Sequence, residues 1–481
     1  EIDAFGAGGC TAGHLAVAWS YFMLSPKWAA AWPEGSDPEA YDKAGMSKNA
    51  IIMTDGEFNT FESNGYSCSS SGTSMSETYA LALCEAIAGG QGPVAIDAER
   101  ASGYRYSNRA YLIQLRREGS GTHLLDPIAF EGLAPLQEAI GEAEWILHAA
   151  TQDLPCLRAE GLWPTELFDT ELAGRLLGYP RVGLATLVET LIGRRMKKEH
   201  SAVDWSTRPL PRPWLEYAAL DVEVLIELRD LIADELVATG KDDWARQEFD
   251  ALRGFEQPVR VDAWRRTSGL HKVRGRRALG AVKAMWELRD EIAEQRDVTP
   301  GRIVPDSALT AAATAPTLPT DRTTLMALKG FHGRGADRYS ARFAAVLREV
   351  AELPEAELPA RNPRTDGPPP PRAWADRDPV AARRLVLARE AMSALAEEHG
   401  MPLENLLTPD SLRRVLWAPP STREPQELAE AVAEALAAMG ARPWQVGLVG
   451  PVVVDAVLGG DVEPEPPADP VEPGAAEPAD G

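Results

Sequence analysis

The chain has 481 residues, enough for about three domains of ~150 residues each. Hydrophobic residues make up 44% of the chain and charged residues 25%, proportions that are typical of soluble globular proteins. The formal net charge of −23 at pH 7 excludes a general polyanion binder, so any nucleic-acid contact would need divalent cations or a local basic patch. No run of about 18 apolar residues is present, and we therefore predict no membrane span.

The first 88 residues differ in composition from the rest of the chain. Every arginine lies at Arg100 or later, and only three lysines precede it. In this segment we predict one strand over residues 50–53 and a helix over 75–87, followed by a glycine- and proline-containing break at 89–93. The contrast indicates two origins, which a natural fusion and a join of two reading frames would both explain.

From residue 94 onward the pattern predicts alternating strands and helices. The predicted strands cover residues 94–98, 110–115, 122–125 and 145–149, and a later helix covers 215–228. This alternation is typical of an α/β domain.

The strands stop at about residue 269, and helical patterns dominate from there. A linker is predicted over 353–376, where four consecutive prolines at 368–371 stiffen the chain. A second helical block follows at 377–460. The end, 461–481, has seven acidic residues and no basic one, and it is predicted to be disordered.

Three short patterns in the α/β region carry acidic side chains. The strand over 94–98 runs into Asp97 and Glu99, which point to the same side because side chains alternate along a strand. Asp153 opens a predicted helix just after another strand, where it would ordinarily be read as a helix cap. Tyr217 and Asp221 share one face of the helix over 215–228, since they are four residues apart.

Taken singly, each pattern is more often structural than functional, but together they supply four carboxylates within one domain. Hard cations such as Mg²⁺ and Mn²⁺ prefer oxygen ligands, and clustered acids are unfavourable without them. Two such ions about 3.5–4 Å apart can hold the attacking and leaving oxygens of a phosphodiester. A zinc site is excluded because histidines and cysteines are not clustered at ligand spacing.

The stretch 92–235 resembles ribonuclease D of the DEDD exonuclease superfamily, in its tyrosine-bearing branch. The resemblance rests on GPVAIDAERA at 92–101, RAYLIQL at 109–115, FDT at 168–170, DWSTRPL at 204–210 and YAALDV at 217–222. It implies an RNase H-like α/β exonuclease domain over 91–235 that hydrolyses the 3′-terminal phosphodiester of RNA and releases nucleoside 5′-monophosphates.

The same resemblance implies a role for each acidic residue. Asp97 would bridge two metal ions, Glu99 and Asp221 would complete the first metal site, and Asp153 would hold the second ion through water. Glu99 would also lie near the 3′ end of the substrate, and Tyr217 would orient the attacking water. Four basic residues lie near this site in sequence and are either phosphate contacts or a solvated loop: Lys197, Lys198, Arg208 and Arg212.

Residues 269–352 resemble an HRDC domain, the helical module shared by ribonuclease D and RecQ helicases. The carrying motifs are LRD at 288–290, DVTP at 297–300, IVPD at 303–306 and LKGF at 328–331. The block has 14 basic and 10 acidic residues, whereas 91–235 has 15 basic and 23 acidic, so the helical block is the better backbone-binding surface. A module that only buttresses the catalytic domain is the alternative. The predicted nucleic-acid contacts are Lys272, Arg274, Arg276 and Arg277.

The two ends of the chain carry weaker resemblances. Block 377–460 is similar to a second HRDC copy, although it has 8 basic and 11 acidic residues. Residues 1–88 resemble part of a von Willebrand factor A-like domain of Tad pilus assembly proteins, through TAGHL at 11–15 and IMTDGEFN at 52–59. In that fold Thr11 and Asp55 would help to ligate a divalent ion, but the loop that supplies the remaining ligands is absent here.

We therefore predict a metal-dependent 3′–5′ exoribonuclease acting on tRNA precursors or other small RNAs. Its partners would be RNA with a free 3′ end and Mg²⁺ or Mn²⁺, with no organic cofactor and no membrane, and its exonuclease part would be cytoplasmic. Two alternatives stay open: a DNA 3′–5′ exonuclease, which would use the same carboxylates, and a non-catalytic pilus-associated adhesion protein.

Overall fold

The computed structural model describes residues 84–130, 132–196, 202–361 and 367–462, together with the backbone of one strand at 49–52. The chain forms two compact units, Glu1–Arg364 and Thr365–Gly481. Apart from that strand and residues 84–88, the predicted von Willebrand factor A-like segment, including Thr11 and Asp55, lies outside the described residues. So does nearly all of the predicted disordered tail.

The first unit is built on a mixed six-stranded sheet. Its strands are β1 (Asn49–Ile52), β2 (Gln91–Arg100), β3 (Ala110–Glu118), β4 (Gly121–Leu125), β5 (Glu144–Leu147) and β6 (Glu166–Asp169). Their spatial order is β1-β4-β3-β2-β5-β6. Strand β3 pairs antiparallel with both β2 and β4, whereas β5 runs parallel to β2 and β6 parallel to β5. Strand β2 therefore lies inside the sheet, and its carboxyl end points the same way as those of β5 and β6.

Helices cover both faces of this sheet. They are α1 (Ala134–Ile140), α2 (Leu154–Ala159), α3 (Thr170–Leu176), α4 (Leu184–Leu187), α5 (Arg212–Glu223), α6 (Leu225–Ala238) and α7 (Asp242–Arg253). Helix α4 continues as a π-helical turn over Val188–Ile192. One apolar cluster joins Val94 and Ile96 of β2 to α1 and α2. The other joins Leu112 and Leu124 to Leu215 of α5. The predicted α/β class is confirmed.

Two of the differences from the predicted bounds lie beside the carboxylates. The strand predicted over 145–149 ends at Leu147, because the chain turns sharply through Ala149, which has a positive φ of 62°. The helix predicted over 215–228 is two helices, α5 and α6, which meet at Val224.

The exonuclease core also extends upstream of the predicted boundary at residue 91. Residues 84–88 are helical. Ile87 is 1% exposed and belongs to the same apolar cluster as Val94 and Ile96, and Cys84 packs against that cluster. Strand β1 adds a parallel edge to the sheet through its pairing with β4. A division after residue 88 would therefore remove part of the core.

A helical block completes the first unit, as predicted. Its helices are α8 (Arg276–Arg296), α9 (Asp306–Ala313), α10 (Arg322–Met326) and α11 (Gly333–Glu352). They enclose an apolar core in which Phe331 and Phe343 pack edge to face with ring centroids 5.9 Å apart.

The helical block is bonded directly to the loop between β2 and β3. The Tyr106 hydroxyl donates to Asp290 over 2.9 Å, and the Tyr106 ring packs against the helical core. The carboxylate of Asp297, at the end of α8, accepts from the backbone N–H of Ser107 over 2.8 Å and from the hydroxyl of Tyr111 over 3.3 Å. Since the loop follows the acidic end of β2, the helical block is fixed to the part of the sheet that carries Asp97 and Glu99.

The second unit is helical. It contains α12 (Trp374–Arg377), α13 (Pro379–Glu398), α14 (Leu403–Leu406), α15 (Pro409–Trp417), α16 (Pro425–Ala438) and α17 (Pro443–Asp461). Among the described helices, α17 alone is long and apolar enough to cross a membrane. Half of its apolar stretch is buried inside the protein, and the helix packs against α13 and α16. These are also the properties of a core helix in a helical unit.

Candidate active site

Three of the four predicted carboxylates converge at the end of β2. Asp97 and Glu99 leave the same face of this strand, and Asp221 reaches them from α5, which packs across that face. One ligand oxygen from each of the three lies within 4.8 Å of the others. The three side chains are half-buried, so the group is open to solvent on one side.

Asp153 reaches the site from the turn between β5 and α2. In this turn the backbone N–H groups of Ala149 and Ala150 donate to the carboxylate of Asp169, over 3.1 and 2.8 Å. The same carboxylate accepts two N–H groups at the start of α3 and caps that helix. Asp169 thus ties the end of β6 to the turn that presents Asp153, and the positive φ of Ala149 concentrates backbone strain there.

The carboxylate of Asp153 interacts electrostatically with Asp97 and does not cap its own helix. Asp153 precedes α2, yet its carboxylate makes no capping hydrogen bond. The residue is 4% exposed, and its Oδ1 lies 3.7 Å from Nη2 of Arg100. A buried carboxylate that makes no capping hydrogen bond is available to interact with a different group. This argues against the interpretation of Asp153 as a helix cap.

Tyr217 lies one helical turn before Asp221 on the same face of α5, as the spacing predicts. Its hydroxyl donates a hydrogen bond to the Asp221 carboxylate. Its ring packs with Trp214 against the apolar cluster between α5 and the sheet. The phenol is therefore held by its ring on one side and by a carboxylate on the other.

Burial raises the pKa of every acid in the group, and the charge of Asp97 adds to this at the other three. Burial, followed by the charges of Asp97, Asp221 and Asp153, raises the pKa of Glu99 to about 9. Burial and the charge of Asp97 raise the pKa of Asp221 to about 8. Burial likewise raises the pKa of Asp97, and burial with the Asp97 charge raises that of Asp153. The four groups cannot all be ionised at neutral pH without added positive charge.

Among the described residues, Arg100 is the cation whose charge acts on three of these four acids. Its charge lowers the pKa of Asp97, Glu99 and Asp153, but in each case by less than burial raises it. A single guanidinium therefore leaves the group under-compensated. Three convergent carboxylate oxygens with excess negative charge are the donor set that Mg²⁺ and Mn²⁺ prefer, and the residues present fit divalent ions.

Of the four basic residues near the site in sequence, two are engaged within the protein. The Arg208 guanidinium donates to both carboxylate oxygens of Asp126, over 2.7 and 2.8 Å. Arg212 pairs with Glu216 on α5 over 2.8 Å. Lys197 and Lys198 lie outside the described residues. Arg208 is thus a structural clamp on the end of β4.

The predicted nucleic-acid patch divides into two pairs. Arg276 donates to the backbone carbonyls of Leu358 and Pro359, and Arg277 donates to those of Val350 and Leu353, so both guanidiniums hold the end of α11 and the chain that follows. This engagement corrects the expectation that they are free for phosphates. The side chains of Lys272 and Arg274, in contrast, are exposed and make no hydrogen bond or ion pair with any described residue.

Two residues that shape the site, Asp169 and Arg100, were not among the functional residues predicted from the sequence. Asp169 is visible only as part of a family motif, because its bonds to Ala149 and Ala150 cross about twenty residues of chain. Arg100 could have been found, since a cation directly after two clustered acids is unusual.

Comparison with known families agrees with this geometry. A model of 3′–5′ exonucleases matches residues 73–237, and an HRDC model matches 278–347. A third model, described as the C-terminal domain of 3′ to 5′ exonucleases, matches 367–457. The first match begins ahead of residue 91, which accords with the place of Ile87 in the core. The interpretation of block 377–460 as a second HRDC copy stays a prediction.

Relatives and solved structures point the same way. Ribonuclease D of Zymomonas mobilis is 32% identical over 283 residues, which is 56% of this chain and 70% of the relative. The crystal structure of a protein from Bifidobacterium adolescentis is 35% identical with a TM-score of 0.72, covering 79% of this chain and 95% of that one. Escherichia coli RNase D is 26% identical with a TM-score of 0.56, over 76% of this chain and 96% of that one. The chain thus belongs to the ribonuclease D family of 3′–5′ exonucleases.

Proposed function

We propose that this chain removes nucleotides from the 3′ end of RNA with the help of two divalent ions, Mg²⁺ or Mn²⁺. The observation that carries the proposal is the group formed by Asp97, Glu99 and Asp221, whose oxygens lie within 4.8 Å and whose pKa values are all raised. When bound, the ions generate a water nucleophile at neutral pH and stabilise the charge that develops on the phosphate.

Each residue of the site is proposed to have its own role in this reaction. Asp97 would contact both ions, Glu99 and Asp221 would complete the first site, and Asp153 would hold the second ion through water. Tyr217 would orient the attacking water, and the strained turn at Ala149 would keep Asp153 in place. The raised pKa values support these roles, because each carboxylate gains from a cation that displaces its proton.

The proposed substrate is structured RNA with a short 3′ tail, such as a tRNA precursor. The E. coli relative is described as an exoribonuclease involved in structured RNA processing, which supports this choice. Matched RNA and DNA oligomers of one sequence, given to the full chain with Mg²⁺, test it. Faster release of 5′-monophosphates from RNA is expected, and equal or faster release from DNA would favour the rival DNA exonuclease.

A first prediction separates two roles on one face of α5. Tyr217→Phe deletes one hydroxyl and keeps the ring, its packing and all four carboxylates. We expect the turnover rate to fall by about 10–10³, the cost of roughly 1.4–4 kcal/mol for one lost orienting hydrogen bond, with little change in Mn²⁺ affinity. Asp221→Asn should lower both. Single-turnover kinetics and calorimetric titration with Mn²⁺ measure the two quantities.

The two variants change opposite ends of the Tyr217–Asp221 hydrogen bond: Tyr217→Phe removes the donor, whereas Asp221→Asn keeps an acceptor oxygen and removes the negative charge. If the two variants lose Mn²⁺ affinity equally, the phenol does more than guide water. An unchanged rate in Tyr217→Phe would reduce Tyr217 to a core aromatic.

We propose that an RNA strand leaving this site passes over Tyr104 toward the helical block. The Tyr104 ring packs against the same apolar cluster as Tyr217. Its carbonyl accepts the backbone N–H of Thr299 over 3.3 Å, which ties it to the helical block. The guanidinium of Arg302 lies 5.6 Å from the centre of the Tyr104 ring.

Arg302 suits a phosphate or base contact. It is exposed, and among the described residues its guanidinium makes no hydrogen bond or ion pair. Its backbone is fixed, since Gly335 approaches the Arg302 carbonyl so closely that a Cβ there would lie 2.7 Å away. A guanidinium over an aromatic ring keeps its donors available for phosphate and offers a plane on which a base can stack.

A second prediction follows for Arg302→Ala. The variant should bind an RNA of about ten nucleotides several-fold more weakly, and the slope of log Kd against log salt should fall by about 0.7, the value for one phosphate contact on a single strand. Hydrolysis of a dinucleotide, which has few phosphates to contact the helical block, should change less than binding of the longer RNA. Fluorescence anisotropy across a salt series measures the slope.

The matched control is Arg342→Ala. Arg342 lies on α11 of the same helical block and pairs with Glu291 over 3.0 Å, so its removal changes the net charge equally but takes away no free guanidinium. Equal slopes for the two variants would mean that only overall charge matters and that Arg302 has no local contact.

A further inference from the structure

Gln114 of β3 has an arrangement that the fold alone does not explain. Its side chain is fully buried, and neither its amide nitrogen nor its amide oxygen has a hydrogen-bond partner among the described residues. Buried polar groups in proteins are nearly always bonded, because leaving a donor and an acceptor unpaired costs free energy. Methionine or leucine would fill the same space without that cost.

The register of the sheet places Gln114 beside the acidic group. Gln114 is the partner of Asp97 in the antiparallel pairing of β2 and β3, and Leu112 is the partner of Glu99. Directly opposed residues point to the same face, with Cβ atoms about 4.5–5.5 Å apart. Gln114 therefore lies on the face covered by α5, next to the carboxylate that the proposed function assigns to both ions.

The directly opposed partner of Gln114 on β4 is apolar. It is Leu124, which belongs with Leu112 to the cluster packed under α5. Arg116 and Thr122 lie two positions along the same face, and there Thr122 accepts from Arg116 over 2.9 Å. Among the residues paired with Gln114, Asp97 is the one that can accept from its amide.

We propose that Gln114 is a positioning residue for the divalent-ion site. Its amide NH₂ donates to the carboxylate of Asp97 when the site is loaded, and so fixes the orientation in which Asp97 contacts both ions. Hydrogen bonds from neighbouring groups to a ligating side chain orient that ligand, and their loss typically costs about 10–100-fold in metal affinity or activity. The proposal rests on the proposed function, because it takes Asp97 as the shared ligand.

The test is Gln114→Met in the full chain, which keeps the volume and removes both polar atoms. In chelator the variant should unfold at the same temperature as the parent or higher, since an unpaired buried amide is gone. Its affinity for Mn²⁺, measured by calorimetry without RNA, should fall by about 10–100-fold. A residue that only packs the core would show no loss of Mn²⁺ affinity.

Leu112→Met is the matched control, because it places methionine on the same face two residues away and should leave Mn²⁺ affinity unchanged. Mn²⁺ binding by Gln114→Met that equals the parent overturns the proposal. If that variant does not fold, Gln114→Asn retracts the amide by one methylene and should also weaken Mn²⁺ binding, and parental affinity there overturns the proposal equally. Failure of the proposed function is a separate result, in which the parent binds Mn²⁺ but hydrolyses no RNA.

Discussion

Asp97→Asn should lower the rate of RNA hydrolysis by at least ~10³, or about 4 kcal/mol of activation free energy. Asparagine keeps the shape of the side chain but removes its charge and one of its two ligand oxygens. Asp97 is the residue whose charge raises the pKa of Glu99, Asp153 and Asp221 alike, so it lies at the electrostatic centre of the group. Its loss should therefore weaken both ion sites together.

The folded state of this variant should be at least as stable as the parent in chelator. Burial raises the pKa of Asp97, and a neutral side chain relieves its repulsion of the other acids. A loss of hydrolysis rate without a loss of melting temperature would show that Asp97 is a metal ligand and not a structural residue. Asp234→Asn, at an exposed position on α6, is the control and should keep the parental rate. A loss of tenfold or less at Asp97 would show that it does not bridge the ions.

Removal of divalent ions should abolish hydrolysis, and added Mg²⁺ or Mn²⁺ should restore it. The carboxylates bring no electrophile, and Arg100, the cation beside them, offsets only part of their charge. Release of 5′-monophosphates in excess chelator, before and after adding back each ion, measures the effect. Undiminished hydrolysis in chelator contradicts the two-ion reaction.

The same removal should change how stability depends on pH. In chelator, Glu99 and Asp221 have pKa values of about 9 and about 8, above those of the unfolded chain, so the folded state binds more protons. That contribution is complete below about pH 4 and is lost as pH rises through about 8–9. Bound Mg²⁺ prefers the ionised groups, so its stabilising effect should grow over the same range. Melting temperatures with chelator and with Mg²⁺, compared from pH 5 to pH 9, give the difference.

Much of the site could be predicted because local periodicity determines it. The alternation of side chains along β2 is enough to put Asp97 and Glu99 on one face, and helical spacing is enough to put Tyr217 beside Asp221. The strand and helix patterns likewise gave the α/β class and the change to helices beyond residue 269.

What could not be predicted depends on contacts between distant parts of the chain. Nothing near Arg276 and Arg277 in sequence reveals that their donors are taken by carbonyls more than seventy residues away. The core position of Ile87 depends on packing with β2, so a change in composition near residue 91 was a poor guide to the domain boundary. Gln114 looked like an ordinary strand residue until the register put it opposite Asp97.

The bonds that Asp297 and Asp290 make to the loop after β2 bear on how this architecture can be inherited. If the helical block were exchanged for a foreign one, Tyr106 would lose its hydrogen-bond partner and its ring would be left uncovered, and Tyr111 would lose its bond to Asp297. Recombination that replaced the block alone would therefore yield a damaged enzyme, unless it carried a compatible loop with it. We therefore expect the helical block and the segment from Ser102 to Tyr111 to be inherited together, although more than 160 residues separate them in the chain.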